Sequence, residues 1–405
     1  MSKYSLEISP VITIPAYLVG EVKSKLAYVD EHIMKAEVSS AGDKIILHLD
    51  IEADEGLYNR IVPKIQRVVQ ALVKGAFKSK IQILEDFIDR PVPCSIDPMP
   101  ELLRRGELSQ EASGIFVLGP LLTRLVAYLE RRFIELADSF GAQPYRFPTL
   151  IPARFLERVK YFSAFPHSLT FVTHLRTDLD AIDHFANQAV CDEKGLNVPP
   201  ESFAQVETLL SPAVCYHLYF ALAGKTLLDG QLIATAVGNC FRYEASNLIS
   251  LERLWNFTMR EVIFVGTKDF VLDHRELGRQ RMNKVFEEMG LAYRVESAND
   301  PFFIGEFRRQ VAFQSAFQLK YEIRARLPFK DPPSVPETDY ATLAVGSYNY
   351  HQDFFGRNLD ISLPDGSPAH TGCIAFGLER MAFALLSQYG LELKSWPASI
   401  RKMLM

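Results

Sequence analysis

Apolar and β-branched residues from Ile8 to Ile14, interrupted by Pro10, read as a strand. The stretch from Ala16 to about Met34 has helical character. Lys44 to Ile51 alternates apolar and polar positions and predicts a strand. A second helix is expected from Asp54 or Glu55, where Ile61, Ile65, Val68, Val69 and Leu72 recur at helical spacing. Arg90 to Pro100 carries four prolines and predicts a linker. This pattern divides the chain into a small N-terminal α/β domain, 1–110, and a larger domain, 111–405.

In the larger domain, Leu121, Leu122, Leu125, Leu129, Ile134 and Ala137 define an amphipathic helix that stops near Gly141. Tyr145 to Pro152 reads as extended, and Pro148 suits an edge or interface strand because it lacks a backbone donor. Further strands are expected at 231–243, 257–266, 340–350 and 372–377, with helices at 272–289, 305–321 and 378–388. Strands with few intervening helices predict an α+β fold with a mainly antiparallel sheet flanked by helices.

Hydrophobic residues make up 48% and charged residues 23% of 405 positions, the balance of a folded globular chain. Forty-four Lys and Arg against 49 Asp and Glu give a net charge of −5, which argues against a generally basic nucleic-acid binder. No apolar run reaches the length of a membrane span, and the N-terminus does not have the layout of a signal peptide. The five scattered cysteines fit a reducing cytoplasm better than a disulfide framework. Neither a Walker nor a dinucleotide-type glycine loop occurs.

Two segments carry candidate chemistry. In the first, Arg242 and Glu244 lie two residues apart, followed by Arg253, Phe257 and Glu261 at four-residue intervals. A hairpin would then present guanidinium groups for phosphate, a ring for stacking on a base and a carboxylate for an exocyclic amine. Surface ion pairs on an amphipathic hairpin would produce the same pattern. In the second, Gly372 to Leu386 reads as a strand turning at Gly377 into a buried helix, with Arg380 in its first turn. An arginine there suits an anion, and a snorkelling or carboxylate-paired arginine is the alternative.

Together the two segments resemble motifs 2 and 3 of the class II aminoacyl-tRNA synthetases. Phe241, Arg242, Glu244, Arg253, Phe257 and Glu261 match the motif 2 pattern in full. Ala375, Gly377 and Arg380 match the Gly-x-Gly-x-x-Arg core of motif 3, with alanine in place of the first glycine. The helix and extended segment at 121–148, with Pro148, would be motif 1. Cys215, Glu261 and Cys373 resemble the zinc ligands of archaeal-type seryl-tRNA synthetases and of their relatives, the amino acid:[carrier protein] ligases. Stretches at 156–169, 317–323 and 346–356 are similar to those ligases in particular.

The resemblance implies an adenylate-forming enzyme of cytoplasmic location. Arg242 would hold the α-phosphate and amino-acid carboxylate, Glu244 the adenine amine, and Phe257 would stack on the ring. Arg253 and Arg380 would hold the outer phosphates. Asn349 and His351, projecting on one strand face, would contact the amino acid or phosphate, with a polar strand end and a satisfied histidine as the alternative, and Cys215, Glu261 and Cys373 would bind Zn2+. Mg2+ would accompany ATP, although 341–345 lacks the glutamate that typical class II enzymes carry there. The expected acceptor is the phosphopantetheine thiol of a carrier protein, with glycine or alanine as the favoured amino acid. A seryl-type tRNA synthetase and a catalytically silent paralogue are the alternatives. Residues 1–110, the only segment available as a tRNA-binding appendage, hold 14 Lys and Arg against 16 Asp and Glu, which offers phosphates no basic surface. A homodimer through 121–148 is expected, and no membrane association.

Overall fold

A computed structural model of the chain describes residues 4–75, 81–193, 195–248, 250–298, 318–331 and 340–404. Its frame is an eight-stranded sheet. From edge to edge the strands are Ile83–Asp86, Tyr293–Ser297, Lys320–Arg326, Thr342–Gln352, His370–Gly377, Asn256–Gly266, Leu232–Phe241 and Gln143–Pro144. Every pairing is antiparallel except the last, where Gln143–Pro144 runs parallel to its neighbour. This is the α+β arrangement the pattern predicts.

Strand side chains alternate between the faces of the sheet, and here the two faces differ in kind. Val262, Phe264, Ile374, Phe376, Val345, Tyr348 and Tyr350 belong to the large apolar core. Helices Pro120–Ser139, Lys268–Glu288 and Leu378–Tyr389 cover that side. Phe133 stacks on Phe376 with ring centroids 3.9 Å apart. The 268–288 helix starts at Thr267, whose hydroxyl accepts from the Phe270 N–H at 3.2 Å. Its Gly278 sits so close to the sheet that a Cβ there would meet Ile374 Cδ1 at 2.0 Å. On the opposite face, Glu261, Ala375, Ser347 and Glu322 stand directly across from one another on four adjacent strands.

The N-terminal unit has its own three-stranded antiparallel sheet, order Tyr4–Ile8, Ile45–Leu49, Ile33–Val38. Helices Val19–Leu26 and Glu55–Gly75 accompany it, and Val22, Leu26, Ile61, Ile65 and Leu72 enter its core. The strand expected over Ile8 to Ile14 ends at Ile8, because Pro10 cannot donate to a ladder. The helix expected to reach Met34 stops at Leu26, and 33–38 forms a strand against 45–49 instead. Tertiary pairing overrides a weak local helical preference there.

The boundary drawn at 110 moves toward the N-terminus. Ile83–Asp86 pairs with Tyr293–Ser297 in the large sheet, and Leu102 and Leu108 lie in the large core. The proline-rich stretch 90–100 is not a loose linker. The Arg90 guanidinium donates to the Phe286 and Leu291 carbonyls, and the Cys94 N–H donates to Gln388 O. Pro98 caps the short helix Met99–Arg104, and Pro100 sits in its first turn, where a missing backbone donor costs nothing.

The expected helix at 305–321 lies largely outside the described residues. Its end does not: Lys320–Arg326 is a strand. The segment expected to be extended from Tyr145 to Pro152 contributes Leu150–Pro152 to a small separate sheet, and Pro148 lies between strands. Among the described residues no helix is long and apolar enough to cross a membrane.

Candidate functional site

The hairpin read from the sequence forms, with Phe241 opposite Asn256 at the end that leads into the connecting loop. Arg242 is half-buried just past the end of the first strand. Its Nε donates to the Pro212 carbonyl at 3.0 Å, and its guanidinium lies 5.4 Å from the Phe257 ring centroid. These contacts fix the guanidinium plane before any substrate arrives. Glu244 forms an ion pair with Arg253, and Arg380 Nη2 lies 3.8 Å from its other oxygen. Burial works to raise the Glu244 pKa, yet Arg253 and Arg380 outweigh it and hold the carboxyl below its usual range. Burial lowers the Arg380 pKa to about 10, so this guanidinium is short of counter-charge in a site crowded with arginine. The strand–helix turn delivers Arg380 there because Gly377 starts the helix. Glu379, beside it, accepts the Thr258 N–H at 3.0 and 2.9 Å and ties the helix start to the hairpin.

A second group sits on the same face of the sheet. Single ligand atoms of Cys215, Glu261 and Cys373 all lie within 4.8 Å of one another, and all three residues are buried. Cys215 comes from the short helix Cys215–Ala221, and the other two from adjacent strands. Glu261 Oε1 accepts the Val214 N–H at 3.2 Å. Its Oε2 makes no hydrogen bond among the described residues beyond contact with the two thiols. Burial raises the pKa values of Glu261 and Cys215. Two thiols and a carboxylate with an unsatisfied buried oxygen form a donor set that fits a zinc ion.

Asn349 stands opposite Cys373 in the ladder, and its Nδ2 donates to Cys373 Sγ at 3.4 Å and to Ser347 Oγ at 2.9 Å. His351 lies farther along the same strand, its Nδ1 3.2 Å from Thr371 Oγ1 and 3.4 Å from the hydroxyl of buried Tyr219. Asn349 therefore reaches the Cys–Glu–Cys group directly, whereas His351 meets the residues around it. The tight contact is at Gly346 across the ladder, where a Cβ would meet Ala375 O at 2.8 Å.

Several site residues escape sequence reasoning. Tyr219 and Thr371 are ordinary apolar-flanked positions until the fold brings them to His351. Glu322 shares the site face, opposite Ser347, and pairs with Lys320 at 3.2 Å and Arg324 at 2.9 Å. These two cations balance its charge within the site face. Glu379 alone had a signal, its place beside Arg380.

No family model matches the chain. Amino acid--[acyl-carrier-protein] ligase 1 of Bradyrhizobium diazoefficiens is 32% identical over 313 residues, covering 77% of this chain and 91% of that protein. Ligase 2 of the same organism is 34% identical over 261 residues, covering 64% and 73%. The chain belongs to the amino acid--[acyl-carrier-protein] ligase family.

Family membership makes the chain a ligase. A more distant relative, the type-2 serine--tRNA ligase of Methanopyrus kandleri, is 26% identical over 372 residues, 86% of this chain and 69% of that one. Among solved structures, M. kandleri SerRS in complex with A. aeolicus tRNASec matches with a TM-score of 0.71 at 22% identity, covering 99% of this chain and 77% of that one. Prolyl-tRNA synthetase from Cryptosporidium parvum matches with a TM-score of 0.52 at 12% identity, covering 71% and 51%. At such identities the likeness shows the fold, that of a class II synthetase.

Proposed function

We propose that the chain activates a small amino acid, glycine or alanine, with ATP and passes it to the phosphopantetheine thiol of a carrier protein. The observation that carries this reading is the arginine–glutamate cluster at 242, 244, 253 and 380 on the same sheet face as the Cys215–Glu261–Cys373 group. In the first step an amino-acid carboxylate oxygen attacks the α-phosphorus, and pyrophosphate leaves. Arg242, held by Pro212 and Phe257, orients the carboxylate and the α-phosphate and offsets the charge that gathers between them. Arg253 and Arg380 take the outer phosphates, Glu244 accepts from the adenine amine, and Phe257 stacks on the ring. Asn349 steadies Cys373 and borders the amino acid, with His351 beyond it. Cys215, Glu261 and Cys373 would hold a zinc ion, which would act as a Lewis acid toward the substrate amine. In the second step the thiol sulfur attacks the acyl carbon and AMP leaves.

The acceptor is tested with radiolabelled amino acid, ATP and either holo carrier protein or total tRNA, after ATP–pyrophosphate exchange has identified the amino acid. Label is expected on the carrier as a hydroxylamine-labile thioester, and not on the apo form. The type-2 serine--tRNA ligase match reaches into the N-terminal unit, so tRNA is the competing acceptor. Stable charging of tRNA with no transfer to the carrier would overturn the proposal.

A homodimer through the 121–148 unit belongs to the same reading. Gln143 and Pro144, the edge strand of the large sheet, are exposed, as are Tyr145, Arg146, Pro148 and Leu150 after it. Sedimentation at micromolar concentration is expected to give twice the 45.9 kDa chain mass, and a monomer would refute it.

A further inference from the structure

Strand Thr342–Gln352 keeps a regular ladder with His370–Gly377 as far as Tyr350 opposite Gly372, and resumes with Gln352 opposite Thr371. His351 is the extra residue of this bulge, and Gln352 after it takes a left-handed φ of 56°. A glutamine is strained in that region, and a bulge of this kind serves to re-aim a side chain. The side chain it aims is His351. Its Nδ1 lies 3.2 Å from Thr371 Oγ1 and 3.4 Å from the Tyr219 hydroxyl. Buried Phe355 meets the His351 ring edge-on, centroids 5.2 Å apart, and packs on Tyr219 at 4.3 Å.

The two hydroxyls that His351 joins each belong to an element carrying a thiol of the candidate zinc group. Tyr219 follows Cys215 by one turn of helix Cys215–Ala221, on the same side, and its hydroxyl is in hydrogen-bonding contact with the Cys215 thiol. Thr371 precedes Cys373 by two residues on one strand, so both project from one face. Tyr219 and Thr371 are both 0% exposed. Hydroxyls buried so completely destabilise the fold unless each has a hydrogen-bond partner, and His351 is that partner for both.

We propose that His351, Tyr219 and Thr371 form a brace that positions the Cys215 and Cys373 sulfurs for zinc, with Tyr219 donating its hydroxyl proton to the Cys215 sulfur. The proposal rests on the reading that Cys215, Glu261 and Cys373 hold the metal. A proton on His351 Nδ1 serves the Thr371 and Tyr219 oxygens together and leaves the Tyr219 proton for sulfur. Asn349 Nδ2 already donates to Cys373 Sγ at 3.4 Å, so each sulfur gains one neutral donor. Two thiolates and a carboxylate bring more negative charge than a zinc dication cancels. Hydrogen bonds to both sulfurs spread that excess, and the metal keeps more of its pull on the substrate amine. His351 is thereby a positioning residue, acting on the amino acid through the metal and not by touching it.

The test is zinc affinity, read by competition with a chromogenic chelator, and the spectrum of the cobalt(II)-substituted protein. Wild type, Tyr219→Phe, His351→Leu and His351→Asn are compared. Tyr219→Phe keeps the ring and its packing and removes only the hydroxyl. It is expected to weaken zinc binding about tenfold, the lower end for losing a group that orients a metal ligand. The sulfur-to-cobalt charge-transfer band should move to longer wavelength, because a thiolate without its donor gives up electrons more readily. KM for the amino acid should rise with zinc affinity lost, and KM for ATP should hold. His351→Leu should act in the same direction, and His351→Asn, which keeps an N–H near the Nδ1 position, should restore most of the difference. Unchanged zinc affinity in Tyr219→Phe, or in His351→Leu should the first variant not fold, overturns the proposal. A weaker affinity with the cobalt band in place also overturns it, since that marks lost packing alone. So does His351→Leu raising KM for the amino acid with zinc affinity intact, which marks a direct contact. A wild type that binds neither zinc nor cobalt would sink the metal reading itself, so the two failures are distinguishable.

Discussion

Arg242→Ala and Arg380→Ala should each lower ATP–pyrophosphate exchange by on the order of a hundredfold to a thousandfold, the range for removing a preorganised charge contact. Arg242 is aimed before substrate binds, by a hydrogen bond to Pro212 O and by the ring of Phe257. No solvent need reorganise around it as charge builds on the α-phosphate. Arg380 sits in a helix first turn, close to Glu244 and under pressure from Arg242 and Arg253. An incoming polyphosphate relieves that repulsion, which is a differential interaction and not a static one. Lysine at either position should not rescue, because a point charge lacks the planar fork. Far-UV circular dichroism and thermal melting serve as the fold control. Near-normal exchange in a folded Arg242→Ala or Arg380→Ala would mean that ATP binds elsewhere.

Cys215→Ser should lose bound zinc and amino-acid-dependent exchange together, by about a hundredfold or more, since transition-metal sites of this kind need every ligand. The hydroxyl is close in size to the thiol, but it does not supply a thiolate at neutral pH. Metal analysis of protein prepared without chelator should find about one zinc per wild-type chain and none in the variant. Nucleotide binding should survive in the variant, because Arg242, Glu244 and Arg380 come from other segments. Chelation should abolish exchange in the wild type, and added zinc should restore it. Full activity of metal-free wild type would remove the metal from the reading.

The elements of the central sheet were largely legible. Strands expected at 231–243, 257–266, 340–350 and 372–377 form at Leu232–Phe241, Asn256–Gly266, Thr342–Gln352 and His370–Gly377. Their runs of β-branched and aromatic residues agree with their burial, so local preference and tertiary demand coincide. The N-terminal unit was less legible. Helix and strand compete there over short segments, and its second strand exists only through pairing with Ile45–Leu49.

Sequence by itself determined the chemistry on offer. The spacing of Arg242, Glu244, Arg253 and Phe257 is local, and a strand–turn–strand needs only neighbours to place them. It also determined where the helix carrying Arg380 begins, because Gly377 can end a strand and start a helix. Tertiary structure alone decided which distant residues meet. Cys215, Glu261 and Cys373 are separated by dozens of residues, and only sheet register sets Glu261 and Cys373 on neighbouring strands of one face while a separate helix brings Cys215 to them. The same register puts Asn349 opposite Cys373. The contact of Tyr28 with the Tyr243 carbonyl depends on docking between two units, and no pattern within either encodes it. Periodicity reports which face of an element is buried; it carries no information about which partner buries it.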